Sequence, residues 1–209
     1  MAEPDIRTLS GDSKMRKHFF VILVALLLTA TVCVAGCTSN NTSPAPTASA
    51  TRSPTFVPKN ISGYRNYTNS SAGVAILYPP SWQLTEPGGN IANAYFTVSS
   101  ADLSFTIAAP ESFSGQSMTL DGFSQGLISA LQQNATNFTY KLSNTTLAGY
   151  PAQKIVFTLV SGGTTRQGII ELTLVNDTGY ALTYEAAKNV YPTYVGIAQN
   201  MMQSFNITG

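Results

Sequence analysis

The strongest constraint on this chain is a two-residue hydrophobic alternation that recurs after residue 73. Val74, Ile76 and Tyr78 alternate with Ala75 and Leu77, and Ala94, Phe96 and Val98 then repeat the spacing. So do Leu103, Phe105 and Ile107; Ile155, Phe157 and Leu159; Ile170, Leu172 and Leu174; and Tyr180, Leu182 and Tyr184. Successive strand side chains point to opposite faces, so this period belongs to half-buried strands. Proline lacks the amide donor a ladder needs, so Pro79-Pro80 ends the first run. Gly162-Gly163 and Asn176-Asp177-Thr178-Gly179 read as turns between strands. The pattern predicts antiparallel hairpins with one covered face.

Two segments switch to helical spacing. Leu120, Phe123, Leu127 and Leu131 follow Thr119, a good N-cap, with Asp121 near the positive end of the helix dipole. Tyr191, Tyr194, Ala198, Met201 and Phe205 form the second stripe, and Pro192 suits a first helical turn. The order strands, helix, strands, helix predicts an α+β domain over residues 60–209. Its antiparallel sheet has about six or seven strands, flanked by helices.

The N-terminus carries a different signal. Lys14, Arg16 and Lys17 precede an uncharged 18-residue run from Phe19 to Gly36, and Cys37 follows. A basic region, an apolar run and small residues before a cut site describe a secretory signal peptide over residues 1–37. Val34-Ala35-Gly36-Cys37 resembles the lipobox of prokaryotic lipoproteins, where the cysteine sulfur is joined to a membrane lipid. An uncleaved helix is the alternative, since such a run spans roughly 27 Å, enough for a bilayer. Either way the residues after Cys37 face outward. Met15 offers a second start, with a more ordinary signal-peptide beginning.

A tether over residues 38–59 separates signal and domain. Of residues 38–58, 18 are Ser, Thr, Pro, Ala or Asn. Such a stretch buries too little apolar surface to offset its ordering entropy. Extended, it reaches about 60 Å. Sequons for N-glycosylation are dense: Asn40, Asn41, Asn60, Asn66, Asn69, Asn134, Asn137, Asn144, Asn176 and Asn206. Ten of the 14 asparagines qualify, where random placement of Ser and Thr gives about three. The excess points to an exported glycoprotein. Lipobox and sequons together point to an archaeal cell surface.

Composition removes several chemistries. A net charge of +1 excludes a nucleic-acid binder that works by charge. The two cysteines, Cys33 and Cys37, both precede the exported part, so no disulfide forms there. The one histidine, His18, sits in the signal region. Gly122-Phe123-Ser124-Gln125-Gly126 has the form of a nucleophile elbow, but it lies in a predicted helix and has no histidine to pair with. A Ser–Lys pair with Lys141, Lys154 or Lys188 is singled out by no spacing. No catalytic residue, metal ligand or cofactor is therefore assigned, and the expectation is a non-enzyme. Zinc, copper and haem sites lack their usual His and Cys ligands. A weak oxygen-only calcium site stays open. Glu171 and Glu185 face each other only if Asp177-Thr178-Gly179 forms the turn loop; otherwise they are two solvated acids on a sheet face.

The run Gly73-Val74-Ala75-Ile76-Leu77-Tyr78-Pro79-Pro80-Ser81-Trp82 resembles the opening of PsbP-like domains. Leu147-Ala148-Gly149-Tyr150-Pro151-Ala152 resembles their middle. It leads into a long hairpin and a terminal helix ending Met201-Met202-Gln203-Ser204-Phe205. The resemblance covers residues 64–206 and implies an α-β-α sandwich around an antiparallel sheet. The founding member is an extrinsic subunit of photosystem II that assists retention of calcium and chloride. That family's metal-binding residues find no position-by-position match here, so none is carried over, and no photosynthetic role transfers. Trp82 reads as a core residue.

Function is bounded rather than identified. The expectation is a membrane-tethered extracytoplasmic lipoprotein: an accessory or binding module of the cell envelope, with a monomeric domain. It would meet an envelope protein or a small ligand. A structural or assembly subunit of an envelope complex is the alternative.

Overall fold

The computed structural model of the chain describes residues 62–87 and 92–208. The expectations for the signal segment and the tether lie outside them. Strands β1 (Arg65–Asn69), β2 (Val74–Tyr78), β3 (Gln83–Thr85), β4 (Ala92–Val98), β5 (Ala101–Ala108) and β6 (Glu111–Ser112) come first. Helix α1 (Leu120–Asn134) follows, then β7 (Thr136–Leu147), β8 (Tyr150–Ser161), β9 (Thr164–Val175) and β10 (Thr178–Ala187). Helix α2 (Tyr191–Ser204) and β11 (Asn206–Ile207) close the chain.

The strands make two antiparallel sheets. One has eight strands in the order β3-β4-β5-β10-β9-β8-β7, with β6 pairing β10 off that path. The other has three, β1-β2-β11. The expected sheet of six or seven strands in an α-β-α sandwich is corrected to this sheet-dominated arrangement. β3, β6 and β7 are the strands of the large sheet that the alternating runs do not mark, and β2 pairs β1 and β11 in the small sheet instead. β7 reads TNFTYKLSNTTL, and of its twelve residues only Leu147 is buried. Its alternation is short, Phe138, Tyr140 and Leu142 with Thr139 and Lys141 between, and Phe138 and Leu142 pack only partly buried against the α1-side core.

The expectation of one covered face also needs correction. β9 and β10 pair with Thr178 opposite Val175 and Leu182 opposite Glu171. Even-numbered residues of one strand therefore share a face with odd-numbered residues of the other. Ile170 and Leu172 on β9 join Ile155, Phe157 and Leu159 of β8 and Ile128 and Leu131 of α1 in one core. Leu182, Tyr184 and Ala186 on β10 point the opposite way. They join Phe96, Phe105 and Ile107, with Met201 and Phe205 at the chain's end and Val74 and Ile76 of the small sheet. The apolar side of the sheet thus changes face between β9 and β10. At the switch both sides are covered: residues 168–173 of β9 and 184–187 of β10 are all buried, with Ile169 in the Tyr184 core and Ile170 in the Ile155 core.

Local signals hold where capping chemistry is explicit. Thr119 has extended backbone and accepts a bond from the Gly122 amide at 3.0 Å, as an N-cap should. Pro192 lies in the first turn of α2. Three hairpin turns, Ala148-Gly149, Gly162-Gly163 and Asn176-Asp177, have positive φ at both central residues. That is the twist a two-residue hairpin needs. The last turn closes on Asn176-Asp177, so Thr178 and Gly179 enter β10. Trp82 is 3% exposed and meets the Tyr194 ring edge-on at 6.2 Å, a core residue as expected.

Candidate functional site

The switch of core face leaves two polar half-faces, and each collects ionisable groups. On the α1 side, beyond the helix, the pairing of β5, β10 and β9 puts Asp102, Glu185 and Arg166 on one face. The Arg166 Nη1 donates to both Asp102 carboxylate oxygens, at 3.0 and 2.9 Å. Its Nε donates to Glu185 Oε1. Glu185 is 2% exposed, while its second oxygen, like the Thr106 hydroxyl on the same face, has no hydrogen-bond partner. Burial pushes the Glu185 carboxyl up to about 7, against the pull of Arg166. Arg166 is held charged by Glu185 and Asp102 despite its own burial. The cluster links three strands, buried at Glu185 and open to solvent at Asp102, and its charge depends on pH.

On the α2 side, beyond that helix, Lys154 Nζ lies 2.9 Å from Glu171 Oε1. Next to it an open groove of about 200 Å³ is lined by Thr139, Lys141, Val156, Thr158, Gln167 and Tyr191. That is below the roughly 300–1,000 Å³ of ordinary small-ligand clefts. Val156, on β8, is 39% exposed there, whereas Tyr140 on β7, 42% exposed, stands opposite Phe157 on the other face. Tyr191 stacks on the buried Tyr184 ring at 5.4 Å and accepts its hydroxyl bond through the backbone carbonyl. Burial pushes both phenols up.

Glu171 and Glu185 stand opposite Leu182 and Gly168, on opposite faces, so they do not face each other. Nor are they solvated: both are buried and ion-paired. The reason is the two-residue turn, which shifts the register by three from the arrangement that would align them. Ser124 sits inside α1, fully buried, its hydroxyl donating to the Asp121 carbonyl at 3.0 Å. That geometry is a helix interior and not an exposed elbow. Among the described residues no group of three or more His, Cys, Asp or Glu is gathered for a metal. No described helix is long and apolar enough to cross a membrane.

Cys37, Asn40, Asn41 and Asn60 lie outside the described residues. Asn66, Asn134, Asn137, Asn144 and Asn176 are exposed, and Asn69 and Asn206 are partly so. The ion triad escaped sequence reasoning. Asp102 and Arg166 are 64 residues apart, and no local spacing brings them together.

No protein-family model matches the chain, and no curated protein matches it. Solved structures do. The solution structure of cyanobacterial PsbP (CyanoP) from Synechocystis sp. PCC 6803 matches with a TM-score of 0.55 at 12% identity, over 74% of this chain and 98% of that one. LpqN, involved in cell envelope biogenesis of Mycobacterium tuberculosis, matches with a TM-score of 0.52 at 15% identity, over 65% of this chain and 83% of that one. The fold is PsbP-like.

Proposed function

We propose that this chain is a membrane-tethered extracytoplasmic lipoprotein whose PsbP-like domain is a non-enzymatic accessory or binding module of the cell envelope. The observation that carries the reading is the order of parts: the Val34–Cys37 lipobox, a Ser/Thr/Pro-rich tether, then a domain whose described sequons are exposed or partly so. That order suits an archaeal cell surface. The PsbP-like fold, shared with LpqN, which is involved in cell envelope biogenesis, supports a helper role. A structural or assembly role is favoured by the shallow groove and exposed Val156 on β8, which suit a docking face better than a deep ligand cleft.

The test is Cys37→Ser in the full chain. The wild type should be recovered in the membrane fraction with a lipid mass on an N-terminal cysteine, and the variant should lack that mass. A mature N-terminus well downstream of Cys37, without lipid, overturns the lipoprotein reading. Envelope proteins that co-purify with the tagged, detergent-extracted wild type would then separate the helper role from the structural one.

A further inference from the structure

The sequons are not scattered over the domain. Asn66 and Asn69 lie on β1 and Asn206 on β11, the two edges of the three-stranded sheet. Asn137 and Asn144 lie on β7, an edge of the large sheet, and Asn134 ends the helix just before it. Asn176 sits in a hairpin turn. No described sequon asparagine lies on the interior strands β2, β4, β5, β8, β9 or β10. Asn93, on interior β4, is followed by Ala-Tyr and is no sequon.

An edge strand presents unpaired amides and carbonyls, a template for another chain, and proteins usually blunt it with charge, proline or brevity. This chain has few such devices. Charged residues are only 10% of it, against roughly 25% in ordinary domains. β7 is twelve residues long with one charge, Lys141, and no proline. A register shift between Thr136 and Thr139 disturbs only its start. β1 has one charge, Arg65, and no proline. The opposite edge of the large sheet, β3, is three residues long and carries no sequon. In the large sheet, sequons thus stand on the long edge β7 and are missing from the short edge β3.

We infer that N-linked glycans at Asn137 and Asn144, with Asn134 beside them, guard the β7 edge against strand addition by a second copy of this chain. An incoming strand must seat within about 4.8 Å of β7. A chain of sugars branching from either amide occupies that approach while leaving the pairing of β7 with β8 intact. Asn144 is exposed opposite Gln153 of β8, and Asn137 is exposed at the irregular start of the strand. The inference rests on the exported glycoprotein reading.

The test uses the full chain extracted in detergent from its native membrane, with glycopeptide masses and sedimentation as readouts. The edge variant Thr136→Ala/Thr139→Ala/Asn144→Gln removes the three sequons around β7. Thr178→Ala removes only the one at Asn176. The wild type and Thr178→Ala should sediment as one copy, and the edge variant at two copies or more. In Thr136→Ala/Thr139→Lys/Asn144→Lys, charge replaces sugar and the single copy should return. Enzymatic removal of glycans from the folded wild type gives the same readout without substitution and should also produce association. A deglycosylated chain or a folded edge variant that stays single overturns the guard and leaves the glycoprotein reading standing. Bare masses on the wild-type peptides of Asn134, Asn137 and Asn144 overturn the guard, and bare masses on every sequon overturn the glycoprotein reading with it.

Discussion

The Phe157 ring lies directly over Gly168: a β-carbon built on that glycine would stand 2.3 Å from the ring's Cζ and 2.6 Å from the Tyr184 carbonyl oxygen. Gly168 is opposite both Phe157 and Glu185 in the sheet. Its missing side chain lets the β8 ring cross β9 and close the space beside the buried carboxylate. Backbone cannot yield there as a flexible side chain could. Gly168→Ala should therefore cost about 3 kcal/mol or more of stability, at the upper end of overpacking effects. Denaturant melts at constant pH check it, and a loss under about 0.5 kcal/mol would mean that the ring has room to move.

Glu185 makes stability depend on pH. Its carboxyl is raised from 4.5 in the unfolded chain to about 7 by burial, so the folded state binds the proton more tightly. The resulting stabilisation is fully present below pH 4.5 and is lost as pH rises through 7. The fall should be on the order of 3 kcal/mol. Glu185→Gln stays neutral throughout, so its melting temperature should be flat over that window where the wild type declines. Parallel profiles for the two proteins would refute the assignment.

Arg166 supplies the compensating charge. Arg166→Met leaves Glu185 buried without its partner and should cost about 3–5 kcal/mol at pH 8. At pH 4.5 the carboxyl is neutral, so the same substitution should cost much less. Equal losses at the two pH values, measured by chemical denaturation, would assign Arg166 to packing alone.

Ala148 has φ +52° in the β7–β8 turn, a backbone that alanine adopts at a cost. Asparagine tolerates it, and Asn-Gly is the preferred pair for this turn. Ala148→Asn should stabilise the domain by about 1 kcal/mol, read as a rise in melting temperature.

The described cores use no residue before Tyr64. A chain lacking residues 1–58 should fold cooperatively, and EDTA should leave its melting temperature unchanged. A fall of several degrees, reversed by calcium, would instead reveal a cation site.

Much of the fold was legible in local chemistry. Six alternating runs, the Thr119 cap, the Pro192 turn and the Gly162-Gly163 hairpin depend on neighbours in sequence and appear in the places expected; the Asn176-Asp177 hairpin appears too, two residues shorter than the four-residue turn expected. β7 went unread although Phe138, Tyr140 and Leu142 alternate with Thr139, Lys141 and Ser143, because three apolar residues in a run of Thr, Asn and Ser are a weak strand signal. The candidate sites divide the same way. A sequon is three adjacent residues and can be read from the chain, whereas Asp102, Arg166 and Glu185 meet only through the pairing of β5, β9 and β10. The alternating runs themselves specify that each strand has an apolar side, and sequence by itself determined that much. Which side faces which core was decided by the register of the β9–β10 hairpin. A two-residue turn in place of the longer loop changes that register by three, an odd number, and so carries every side chain of one strand to the other face. That parity separates the apolar face of β9 from that of β10, and it buries Glu171 and Glu185 on opposite sides of one sheet.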